Sequence, residues 1–176
     1  MVKLIVFLGN PGKNYSNTRH NVGWMLADRM YPSTLWQQKF HAETASEGAF
    51  RLIKPQTYMN ESGISVRACC DFFQIKAEEV VVVHDDLELP FGTVRIQKGG
   101  GLQGHNGLRS IKTHLGSDCF LRLRIGIGRP QRGDIATFVL TPFSKEEAPV
   151  LPLILGKAER LLTGDFSTLP VTDSLE

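Results

Sequence analysis

Residues 79–84 read EVVVVH, four valines in a row between a glutamate and a histidine. A strand with one face in water alternates apolar and polar residues, whereas an unbroken β-branched run is the pattern of a strand covered on both faces. The run VKLIVFL at 2–8 has the same character. Two such strands predict an α/β fold, with helices packed over both sides of a largely parallel sheet. The segments between and after them agree. HNVGWMLADRMY (20–31) places Val22, Leu26 and Met30 at helical spacing, AFRLIKP (49–55) reads as a strand, and ESGISVRACCDFF (61–73) as a second helix. TVRIQ (93–97) and CFLRLRIGIG (119–128) alternate, which predicts strands with one wet face. Residues 106–115 carry Leu108, Ile111 and Leu115 on one side, with Gly116 as a helix stop. Ser144 and Glu147 have capping-box spacing for a last helix, which Pro149 and Pro152 would interrupt. From about residue 165 the chain reads as a loose tail.

The totals bound the class of protein. At 176 residues and 41% hydrophobic, the chain suffices for one well-cored domain spanning 1–176 and is too short for two. Twenty Lys and Arg against 18 Asp and Glu leave a net charge of +2, which by itself selects no partner. The three cysteines, two of them the adjacent Cys69 and Cys70, form neither a disulfide framework nor a zinc spacing and fit a reducing cytosol. The apolar run at 2–8 is too short for a signal peptide core or for the roughly 20 residues that span a bilayer. A cytoplasmic protein without membrane insertion is therefore expected.

Polar residues follow the buried strands. Asn10 comes after the first, Asn60 within a few residues of the strand at 49–55, and Asp85 after the valine run. In open α/β sheets ligands gather beyond the carboxyl ends of parallel strands, so these residues would share one crevice. Taken singly, Asn10 with Pro11 makes a turn, and Asn60 and Asn106 cap helices. His20 lies in a loop between Arg19 and Asn21 rather than on an apolar face, and an imidazole suits proton transfer at neutral pH. A general base needs an orienting carboxylate, which Asp85 or Asp86 can supply. No GxSxG elbow or HExxH helix is present, so histidine with aspartate and no nucleophile points to activated water. HDD at 84–86 read as a metal fragment is the weaker alternative.

The loop GGGLQGHNG (99–107) contains a literal GxGxxG in Gly99, Gly101 and Gly104, so a dinucleotide-dependent oxidoreductase is a rival. No acidic residue ends the following strand to hold a ribose, and a lone GxGxxG is weak. The loop could instead offer backbone amides to an oxyanion, with Asn106 at its tip. Between Arg95 and Arg132 eight cations face the single acid Asp118, a distribution suited to phosphate-backbone contacts through Arg95, Lys98, Arg109, Lys112 and Arg129.

In order along the chain stand LGNPG (8–12), YSNTRHNVG (15–23), KPQTYMNESG (54–63), HDDLELPFG (84–92), GHNGLRSI (104–111) and RLRIGIGRP (122–130). Together they resemble bacterial peptidyl-tRNA hydrolase over about residues 2–140. The resemblance implies a single-domain α/β fold with a mixed, mostly parallel twisted sheet flanked by helices on both faces. It implies hydrolysis of the ester joining a peptide to the 3′ ribose of tRNA, in the cytoplasm, by a monomer with no metal, organic cofactor or obligate protein partner. By the same resemblance His20 is the general base, Asp85 its holder and Asn10 a substrate-discriminating residue of the catalytic group. Asn60 and Asn106 bind substrate near the ester, and Tyr15 and Tyr58 line the crevice. The chain departs from the family at Phe7, where a small residue is common, and at Leu102 and Gln103, which replace a usual His-Gly. RNA binding without chemistry is the remaining rival, and it has no use for an intact His20, Asp85 and asparagine set.

Overall fold

The computed structural model describes residues 1–175. In chain order its strands and helices are β1 (Leu4–Phe7), α1 (Val22–Met30), β2 (Gln37–Lys39), β3 (Ala42–Glu47), β4 (Phe50–Pro55), α2 (Ser62–Phe73), β5 (Val80–Asp86), β6 (Thr93–Lys98), α3 (Asn106–Leu115), β7 (Leu121–Gly126), α4 (Ile135–Val139), α5 (Leu151–Leu162) and β8 (Val171–Ser174). Among the described residues eight strands form one sheet in the order β2-β3-β4-β1-β5-β7-β6-β8. The middle four, β4, β1, β5 and β7, are parallel, and antiparallel pairs extend the sheet at both edges. The valine run lies between β1 and β7, buried along its whole length.

Alternation in β1 and β5 sends side chains to two cores. Ile5, Phe7, Val81 and Val83 pack with α1 and α5 on one face, and Leu4, Val6, Val80 and Val82 with α2 and α3 on the other. Phe7 is fully buried in the first core, edge-on to Tyr31.

Four expectations need correction. β7 is not half wet: it lies inside the sheet, Arg122 is 1% exposed, and loop 99–101 covers its polar face through carbonyls bonded to Arg122. The Ser144–Glu147 box does form, with both reciprocal bonds, but around a turn, and α5 starts only at Leu151. Pro149 precedes that helix and Pro152 occupies its first turn, where no backbone donor is needed, so neither interrupts it. The tail is not loose as far as it is described. β8 pairs with β6, and Asp173 on it binds Lys157 of α5 at 2.9 Å. The hairpin β2-β3 and the short α4 had no counterpart in the sequence reading.

Candidate active site

Three strand ends build the site. After β1 the chain turns at Asn10, after β4 it reaches a 3-10 turn at Met59–Glu61, and β5 ends at Asp86. Asn10 is locked. Its backbone N–H donates to Asn21 Oδ1 (2.9 Å), its carbonyl accepts from Asn21 Nδ2 (3.0 Å), and its own Oδ1 accepts from the amide of Met59 (2.7 Å). With Oδ1 so engaged, Nδ2 is the amide atom left to offer a ligand. Tyr15 and Tyr58 meet edge to face at 6.3 Å, and with Asn10, Asn60, Asn106 and His20 they line one cavity of about 260 Å³.

His20 sits in the turn before α1, its side chain 11% exposed. Its Nδ1 lies 2.8 Å from Asp85 Oδ2 and 3.0 Å from Oδ1. Opposite an ionised carboxylate, which only accepts, Nδ1 carries the proton, and Nε2 is then the basic nitrogen. Asp86 does not compete. Successive residues of a strand point to opposite sides, and Asp86 accepts from Arg124 Nε at 2.7 Å and lies 3.6 Å from Arg122.

His105 is a part of the site that the sequence reading missed. Its Nε2 lies 2.9 Å from Asp85 Oδ1, while its Nδ1 accepts the N–H of Leu108 at 3.2 Å and so caps α3. The cap fixes the tautomer, because a nitrogen that accepts a backbone N–H leaves the proton on the other. Asp85 thus holds two imidazole donors. The available signal was the histidine next to Asn106, directly before a helix. The plain alternative, capping, fails for both asparagines: Asn106 is the exposed first residue of α3, which His105 caps, and Asn60 makes no side-chain cap bond.

Burial alone would raise the Asp85 pKa, but the two histidines outweigh it and hold the carboxyl far below the carboxylate range. Burial alone would lower the His20 pKa, and the charge and hydrogen bond of Asp85 raise it above 6.5 on balance. His84 is pushed well down by burial and by Arg122, whose Nε donates to its Nε2 at 3.1 Å. It is a neutral structural residue.

His20, Asp85 and His105 bring one candidate ligand atom each within 4.8 Å of one another. Those two ring nitrogens carry the protons they give to Asp85, so the group is built as a hydrogen-bonded triad rather than as a set of lone pairs facing an ion. The oxidoreductase reading fails on geometry. The GxGxxG loop follows β6, which is antiparallel to β7, and its Gly99 and Gly101 carbonyls turn inward to Arg122 at 3.4 and 2.6 Å. Leu102, Gln103 and His105 of that loop border a second cavity of about 350 Å³, and His20 lines both.

The basic residues divide. Lys98 on β6 and Arg109 on α3 are exposed, and Lys112 is exposed with Asp118 at 3.7 Å. Arg95 is tied to Gln97 and Thr172, and Arg129 to Glu88. Arg122 lies beneath the glycine loop, and Arg124 binds Asp86 and Gln97.

The peptidyl-tRNA hydrolase family model matches residues 4–168. The peptidyl-tRNA hydrolase of Treponema pallidum (strain Nichols) is 49% identical, covering 98% of this chain and 89% of its own. That of Aliarcobacter butzleri (strain RM4018) is 48% identical, with 93% of each chain covered. The crystal structure of peptidyl-tRNA hydrolase from Acinetobacter baumannii superposes with a TM-score of 0.83 at 36% identity, over 93% of this chain and 89% of that one.

Proposed function

The chain belongs to the peptidyl-tRNA hydrolase family, and from that premise we propose how its residues carry out the reaction. The protein is an ester hydrolase that splits peptidyl-tRNA into free peptide and tRNA. His20 is the general base. Nε2 takes a proton from water as the water oxygen attacks the ester carbonyl, and Asp85 steadies the imidazolium that forms. The tetrahedral oxyanion is met by amide donors, Asn10 Nδ2 and the side chain of Asn106, with Asn60 holding the peptide. As the intermediate collapses, the imidazolium returns the proton to the departing 3′ oxygen of the ribose. The products are a tRNA 3′ hydroxyl and the peptide's carboxylic acid, which loses its proton to solvent and leaves as the carboxylate. Tyr15 and Tyr58 supply an aromatic wall for the peptide.

The observation that carries this reading is the 2.8 Å contact between His20 Nδ1 and Asp85, formed where the asparagines line the same cavity. The tRNA acceptor end runs along Lys98, Arg109 and Lys112, with Arg95 and Arg129 exchanging their present partners for phosphates. The enzyme works as a single-domain cytoplasmic monomer without metal or organic cofactor. Among the described residues no helix is long and apolar enough to cross a membrane.

His20→Ala, assayed on an N-blocked aminoacyl-tRNA, is expected to lose about 10² to 10⁴ in rate while still binding the substrate. Hydrolysis at the parent's rate would exclude the mechanism, and a parent that protects the ester would be a binder of RNA only.

A further inference from the structure

One wall of the site is not held by the sheet. Ala136 and Val139 line both cavities, Ile135 one and Leu140 the other, yet all belong to α4 and the strand-free connection that leads to α5. Val139 is buried at 8% exposure, but Ile135 is 41% and Leu140 42% exposed, so apolar burial holds this wall mainly at one residue.

Arg19, the residue before His20, reaches it. Its Nη1 donates to the carbonyls of Phe138 and Thr141, each at 3.3 Å, and its Nη2 donates to Glu147 Oε1 at 2.9 Å. The guanidinium also lies 4.0 Å over the ring of Phe138. The backbone takes part, with Arg19 N–H donating to the Thr141 carbonyl at 3.1 Å and Thr18 bridging Pro142. Glu147 is itself fixed, because the same Oε1 accepts the N–H of Ser144. A planar fork that binds several acceptors while stacking on a ring is what arginine offers and lysine does not.

We propose that Arg19 is a positioning residue: its guanidinium clasps α4 and Glu147, and so sets the width of the cleft between that wall and the adjacent His20. Consecutive residues carry the clasp and the base, so wall and base share one reference point. The clasp sets how well the cleft grips the peptidyl end of the substrate, and so how tightly it binds, without itself touching the substrate. This rests on the His20-centred reading above.

The test pairs Glu147→Ala with Glu147→Gln in the full chain, followed by hydrolysis kinetics on an N-blocked aminoacyl-tRNA and by amide hydrogen exchange. Glu147→Ala is expected to raise KM about tenfold with kcat within about twofold. It should leave the acid limb of the pH profile in place, because His20 and Asp85 are intact. Exchange over 135–141 should quicken while that over 80–86 stays slow. Glu147→Gln, which keeps an acceptor oxygen, should return KM most of the way. Faster exchange with an unchanged KM overturns the proposal, and so does unchanged exchange. A shifted acid limb also overturns it, since Arg19 would then act on the titration of His20. If the alanine variant fails to fold, Arg19→Lys is read in the same way with the same expectations. A parent that does not hydrolyse the substrate sinks the functional reading instead, and the exchange data, which need no substrate, tell the two failures apart.

Discussion

Asp85 and Asp86 are consecutive and chemically alike, and strand geometry gives them different work. Asp85 faces His20 and His105, while Asp86 faces Arg122 and Arg124. The consequence is testable through pH. A base acts only when deprotonated, and the Asp85 carboxylate raises the His20 pKa above 6.5. The acid limb of kcat/KM should therefore lie above pH 6.5, with activity falling as pH drops through it. Asp85→Asn removes the raising influence and leaves burial, which lowers the pKa. The limb should move to lower pH, and the rate at neutral pH should fall by about 10² to 10⁴ as the ring loses its orienting partner. A limb that stays in place would show that another group holds His20. Stability follows the same pair. The folded pKa of Asp85 is depressed, so its contribution is present above the unfolded value of 3.8 and is lost as pH falls below it. The parent's Tm should decline more steeply than that of Asp85→Asn over that acidic range. Asn10, Asn60 and Asn106 could be named from their places after strands, but which atom of Asn10 faces the cavity depends on Asn21 and Met59, residues 11 and 49 positions away.

At the level of elements, period and stop signals located α1, α2, α3 and the central strands, because their apolar faces pack on the nearest layer. The β2-β3 hairpin was invisible for a definite reason. Its turn places Phe40 and His41 at φ of 60° and 55°, a two-residue turn normally signalled by Asn-Gly. Phe40 tolerates it by packing on Phe72 and Phe73 at 5.5 and 5.8 Å. His41 is exposed, so relieving its backbone with His41→Gly should raise unfolding free energy by up to about 1 kcal/mol, against the usual entropic cost of glycine. A lower midpoint in urea would show that His41 is unstrained. The α2-α3 contact gives the opposite expectation. A Cβ at Gly63 would lie 2.2 Å from the Ser110 carbonyl oxygen, which is backbone and cannot swing away. Gly63→Ala should force the helices apart at a cost of about 1–3 kcal/mol, read by thermal unfolding. Because α3 carries His105 and Asn106, kcat should drop with it.

Over the whole molecule the eight cations of residues 95–132 look like one basic strip, yet tertiary structure sorts them into two kinds. Lys98, Arg109 and Lys112 face solvent, whereas Arg122 is sealed under the glycine loop, its pKa lowered to about 10 by burial. Arg109→Gln should weaken tRNA binding and reduce its log–log salt slope by roughly 0.7 to 0.9, one phosphate's worth, with stability unchanged. Arg122→Met should instead cost about 2–6 kcal/mol of stability, since it leaves two buried acceptors, the Gly101 carbonyl and His84 Nε2, without their donor at about 1–3 kcal/mol each, while Asp86 keeps Arg124, and any loss of binding should keep the salt slope. Asp86 and Glu88 precede the basic stretch in sequence, and folding brings them against Arg124 and Arg129. The sequence by itself determined the α/β class, the buried central strands, the family and the residues that converge beyond the strand ends, because short-range periodicity and side-chain chemistry are local properties of a chain. Only the tertiary structure decided that His105 shares Asp85, that Arg122 is interior, that the tail closes the sheet as β8, and that Arg19 reaches across to Glu147. Each of those is a pairing between segments far apart in sequence, fixed by how the layers pack and by the need of buried polar groups for partners.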